Sequence, residues 1–155
     1  MNKGEWYNFL FERVDTAIDE EYFFEAAFIC YGVIEDRLTS LLELSGVRVP
    51  QGVGRKIGDL AKSQSHASEV LLQFDNWDST KGQYNKHGKL SEILPWGELY
   101  RNPLQHKLGD PRVYKAKFGG FHSENTKDMA IEGRRIAREL STLLMQFKKQ
   151  YKNFP

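Results

Sequence analysis

Residues 22–44 read YFFEAAFICYGVIEDRLTSLLEL, and this stretch decides the fold. It contains no proline, and Phe23, Ala26, Ala27, Cys30, Val33, Ile34, Leu38, Leu41 and Leu42 recur at helical spacing. The positions around them are also rather apolar. A helix apolar over so wide an arc is expected at the centre of a bundle, packed on more than one side. The small residues Ala26, Ala27 and Gly32 leave room for a close neighbour, either another helix or a second copy of the chain. Asp19-Glu20-Glu21 suits the start of this helix, where the helix dipole favours negative charge. Ser45-Gly46 is its expected end.

On the N-terminal side, Tyr7, Leu10, Phe11, Val14, Ala17 and Ile18 lay a stripe on a helix over Glu5 to Glu20, with Trp6 and Phe9 widening it. On the C-terminal side, Val49-Pro50-Gln51-Gly52-Val53-Gly54 is a turn-rich connector. Arg55 to Ser63 forms a short amphipathic piece with Ile57, Leu60 and Ala61 inward, and His66 to Trp77 another around Val70, Leu71, Leu72 and Phe74. Asp78 to Lys89, with Lys81, Lys86 and His87, is an exposed basic loop. Leu90 to Tyr100 resumes the helical pattern around Ile93 and Leu94, interrupted at Pro95. Gly109 to Asn125 is a second loop. The clearest helix runs from about Glu124 to Tyr151, with Ile136, Leu140, Leu143, Leu144, Phe147 and Tyr151 inward. Its residues Arg134, Arg135, Arg138, Lys148 and Lys149 form a solvated face. No internal repeat or period-two run competes. The expectation is one all-α domain over 1–155, a bundle of four main helices with short extras.

Composition narrows the function. A chain of 155 residues is long enough to bury a core. A formal net charge of +1 excludes a nucleic-acid binder held by bulk electrostatics, so any such contact must come from local patches. Cys30 is the single cysteine, which excludes a disulfide framework and a Cys-based zinc site. His66, His87 and His122 stand in separate segments without acids at ligand spacing, so neither metal nor cofactor is expected. No stretch has the apolar core of a signal peptide or the length to span a membrane, and a cytoplasmic location is expected.

The residues best suited to chemistry lie together in Arg101-Asn102-Pro103-Leu104-Gln105-His106. Arginine offers a planar fork of donors matched to a phosphate. Histidine moves a proton near neutral pH. RNA carries its own nucleophile, the 2′-hydroxyl, so an acid–base group and a cation on the phosphate are the minimum for metal-free cleavage. Pro103 suits the first turn of a new helix with Asn102 as its N-cap, which would aim free backbone N–H groups at an anion. Among the four histidines only His106 has an arginine five positions upstream.

Arg101, Asn102 and His106, late in a helical bundle and after a long apolar second helix, resemble the motif of the HEPN domains. That family's pattern is Arg, four to six residues, then His, with Asn frequent directly after the Arg. The resemblance implies a metal-independent endoribonuclease of toxin or anti-phage type. It also implies a homodimer in which two motifs form one composite site, with RNA, tRNA included, as substrate and an antitoxin or regulatory protein as a further partner. Arg101 would hold the scissile phosphate, His106 transfer protons, and Asn102 orient the pair or cap the turn. Family members often carry a polar residue on the second helix, which makes Glu35 a candidate to orient the His or bind sugar; a plain carboxylate paired with a neighbouring Arg or Lys fits it equally. Arg112, Lys115 and Lys117, interleaved with Tyr114, Phe118 and Phe121, suit either RNA contact or anchoring of their loop. Leu108 stands where some members have a Tyr that a partner enzyme modifies, so that mode of control is not expected. The rival reading is a non-catalytic module of the same fold that binds a nucleotide or a protein.

Overall fold

The computed structural model describes residues 1–62, 77–78, 83–84, 89–97, 110–112 and 123–150. The chain is all-α. Its described helices are α1 (Lys3–Asp19), α2 (Phe23–Leu44), α3 (Val53–Lys62), α4 (Lys89–Trp96) and α5 (Glu124–Gln150). The expectations for residues 63–76 and 98–100, and for Tyr151, lie outside the described residues. No helix among the described residues is long and apolar enough to cross a membrane.

A strand pair corrects the helix expected up to Trp77 and the loop expected from Asp78. Strands β1 (Trp77–Asp78) and β2 (Gln83–Tyr84) pair antiparallel, Trp77 opposite Tyr84 and Asp78 opposite Gln83. Trp and Tyr both favour strands, yet two residues are too few to write a period-two pattern. β2 lies against α3.

The helix ends are set by local hydrogen bonding. Asn2 caps α1 in a capping box: Glu5 N–H donates to Asn2 Oδ1 at 2.9 Å and Asn2 N–H to Glu5 Oε2 at 2.8 Å. At the other end, Tyr22 N–H donates to Ala17 O at 2.6 Å and Glu21 N–H to Ile18 O at 3.1 Å. That pair of bonds is a Schellman motif, with Glu21 in the left-handed region at φ 62°. Glu20 and Glu21 therefore close α1 instead of opening α2 as expected. α2 ends the same way, at the predicted place: Val47 N–H reaches Leu42 O and Gly46 N–H reaches Glu43 O, both at 3.1 Å, with Gly46 at φ 67°. Ser123 starts α5, its Oγ accepting from Thr126 N–H at 3.3 Å.

The chain divides into two compact units, Met1–Val33 with Pro95–Ala137, and Ile34–Leu94 with Arg138–Pro155. In the first, Val14, Ala17, Phe23, Ala26, Cys30, Val33, Trp96, Met129, Ala130 and Ile136 are buried. Arg13 clasps Glu25 with both arms, Nε to Oε1 at 2.7 Å and Nη2 to Oε2 at 2.8 Å, tying α1 to α2. Arg134 Nη1 reaches Asp15 Oδ1 at 2.9 Å, tying α5 to α1. In the second unit, Ile34, Leu38, Leu41, Leu42, Ile57, Leu60, Ile93, Leu140, Leu144 and Phe147 are buried. Every apolar position named on α2 from the sequence is buried, as are the five described ones on α5.

Trp6 and Phe9 do not widen the buried stripe of α1. They are 46% and 49% exposed and stack on each other with ring centroids 5.4 Å apart. The buried row of α1 is Tyr7, Val14 and Ala17, one position round the helix, and the two rings at i and i+3 cover one another instead.

Candidate functional site

Arg101, Asn102 and His106 lie outside the described residues, as do Lys115, Lys117, Tyr114, Phe118 and Phe121. Glu35 and Arg112 are described, together with the residues that lead into the motif.

Trp96, five positions before Arg101, is the anchor on that approach. Pro95 lies inside the last turn of α4, where it has no N–H to donate. The buried indole donates from Nε1 to Met129 O at 2.9 Å, although that carbonyl already belongs to α5. Such an approach to a helix backbone needs an absent side chain, and Gly133 supplies it. A Cβ at that position would stand 2.5 Å from Trp96 Cζ2 and 3.3 Å from Cys30 Cβ.

Arg112 stands in solvent, its side chain 91% exposed, and its charge is locally met. Asp110 Oδ1 accepts from the Arg112 backbone N–H at 3.0 Å and from Nε at 3.3 Å, while Oδ2 accepts from Nη2 at 3.3 Å. An exposed pair of this kind is weak.

Glu35 sits on α2 in the second unit, and Thr39 Oγ1 donates to its backbone carbonyl at 2.9 Å. Its side chain is paired. Lys56 of α3 donates from Nζ to Glu35 Oε1 at 3.0 Å. The two ends of this bond differ sharply in exposure: the Lys56 side chain is 7% accessible and that of Glu35 is 36%. The lysine stem therefore runs through the interior and delivers its ammonium to a carboxylate at the rim.

Sequence reasoning passed over Lys56, Trp96 and Gly133. A signal for each is present. Lys56 falls in the inward row of α3 with Ile57 and Leu60, where a charge is out of place. Gly133 falls in the inward row of α5 between Met129, Ala130 and Ile136, where a missing side chain marks a close approach. Trp96 stands three positions after Ile93 on the same row of α4.

No group of three or more His, Cys, Asp or Glu among the described residues is placed to hold a metal ion. No family model, curated protein or solved structure matches the chain.

Proposed function

We propose that the chain is a metal-independent endoribonuclease of HEPN type, cytoplasmic, with a toxin or anti-phage role. The observation that carries the reading is the sequence Arg101-Asn102-Pro103-Leu104-Gln105-His106 in an all-α chain whose second helix is long and buried. In this reading the arginine holds the scissile phosphate and offsets the charge that builds on it. One histidine takes the proton of the 2′-hydroxyl and a second gives a proton to the departing 5′-oxygen, leaving a cyclic phosphate. Asn102 orients the pair or caps the turn. One chain offers a single histidine here, while a two-fold dimer offers two around one phosphate, so the pair of chains supplies both the base and the acid.

The test is cleavage of RNA by Arg101→Ala and His106→Ala beside the native protein, with mass measured by light scattering over a concentration series. Loss of cleavage in both variants, in a species of dimer mass, supports the reading. Cleavage that persists in either variant removes that residue from the mechanism. A folded protein that cleaves no RNA moves the weight to a nucleotide- or protein-binding module.

A further inference from the structure

We propose that the exposed side of α1, where the stacked rings of Trp6 and Phe9 are flanked by Glu5 and Glu12, docks an arginine-bearing segment of a partner protein. All four residues belong to one helix of the first unit, and this docking face is independent of the ribonuclease reading.

Phe9 shares a row of α1 with Glu5 four positions before it and Glu12 three after, and all three are exposed. Trp6 stacks on Phe9 with 24° between the ring planes, so the two rings present one continuous apolar surface to water. Arg13, four positions after Phe9, has both arms engaged by Glu25. The surroundings are strongly acidic. Residues 1–25 hold seven acids against two bases, Lys3 and Arg13, a net −5 in a chain whose total is +1. Among the described residues Glu12 and Asp19 form no ion pair.

That combination selects its occupant by charge. Bare rings could stack on nucleic-acid bases, but a net −5 repels the phosphates that come with them. A helix that lies on a membrane surface carries lysine and arginine beside its aromatic residues, and this one carries glutamates. A purely apolar partner would strip water from Glu5 and Glu12 and give nothing back. Arginine meets every requirement. Its guanidinium plane stacks on an indole or phenyl face, attracted by the ring quadrupole, while its fork of N–H donors reaches a carboxylate alongside. Tryptophan is the best of the rings for that contact, and it is among the residues that most often anchor protein interfaces.

The experiment titrates the full chain into a fluorescein-labelled nona-arginine peptide and reads binding by anisotropy. Single-stranded RNA and vesicles of phosphatidylcholine with phosphatidylglycerol are run beside it. The native protein is expected to bind the peptide. Trp6→Ala/Phe9→Ala leaves every charge in place and should weaken binding about tenfold. Glu5→Gln/Glu12→Gln keeps both rings, and glutamine serves the capping box as glutamate does; it should weaken binding by about the same factor. Because it disturbs neither the rings nor the cap, the glutamine variant carries the test if the alanine variant melts early. Equal binding by the native protein and a folded alanine variant would show attraction by charge alone and overturn the proposal. So would undiminished binding by the glutamine variant, or a native protein that leaves the peptide free. Binding of RNA or of vesicles that the alanine variant loses would give the face to that ligand instead and overturn it as well.

Discussion

Lys56 Nζ stands 3.0 Å from Glu35 Oε1, linking α3 to α2 through a bond whose cationic end is buried and whose anionic end is partly open. Removing either partner alone strands the other. Lys56→Met should therefore cost stability, about 1–2 kcal/mol once the exposure of Glu35 is allowed for. The double variant Lys56→Met/Glu35→Gln should recover most of that loss. A double-mutant cycle by urea unfolding measures the coupling; additive losses would show that the two side chains do not depend on each other.

The contact between Trp96 and Gly133 makes a second prediction. Gly133→Ala drives a Cβ against the indole and should destabilise by about 1–3 kcal/mol, despite the better helix propensity of alanine. Trp96→Phe withdraws the atoms that clash, so Gly133→Ala should cost less in that background. Urea unfolding of the four proteins checks it, and an equal cost of Gly133→Ala in both backgrounds would place the strain elsewhere.

Glu21 and Gly46 occupy equivalent positions in two Schellman motifs, and only one is glycine. Glu21→Gly should stabilise the chain by about 0.5–1 kcal/mol, and Gly46→Ala should destabilise it by a similar amount. Melting temperatures moving in opposite directions are the expected result.

The clasp between Arg13 and Glu25 gives a pH dependence. Hydrogen bonding to Arg13, with its positive charge, holds the Glu25 carboxyl below the usual carboxylate range, against a smaller opposing effect of desolvation. Since the folded pKa is the lower one, the contribution is full above the ordinary glutamate value of about 4.3 and is lost as pH falls through the folded value. The stability difference between native protein and Glu25→Gln should accordingly shrink in that acid range and stay level from there to neutrality. The exposure of the pair keeps the effect small, and salt should reduce it. Chemical unfolding across the range, with and without added salt, reads it.

The helices were legible because their inward rows are written in apolar residues at helical spacing, most plainly in Phe23 to Leu42 and in Ile136 to Phe147. The end of α2 was legible in Ser45-Gly46 because glycine advertises the left-handed turn. The end of α1 was not, because the same turn is made by Glu21, which local bonds force there. Trp6 and Phe9 misled because a wide apolar arc looks alike whether its edge meets the core or another ring. The strand pair at Trp77 and Tyr84 was invisible because two residues carry no period. At the candidate site, pairing of Glu35 was one of two readings the sequence left open, and its partner comes from a helix twenty-one positions on, where one-dimensional spacing does not reach.

The most direct measurement is incubation of the purified protein with total tRNA and with single-stranded RNA in excess EDTA, beside His106→Ala of the same melting temperature. The predicted result is cleavage by the native protein and none by the variant, with products ending in cyclic phosphate. Equal cleavage by both would contradict the ribonuclease reading, and so would a folded native protein that leaves both RNAs intact.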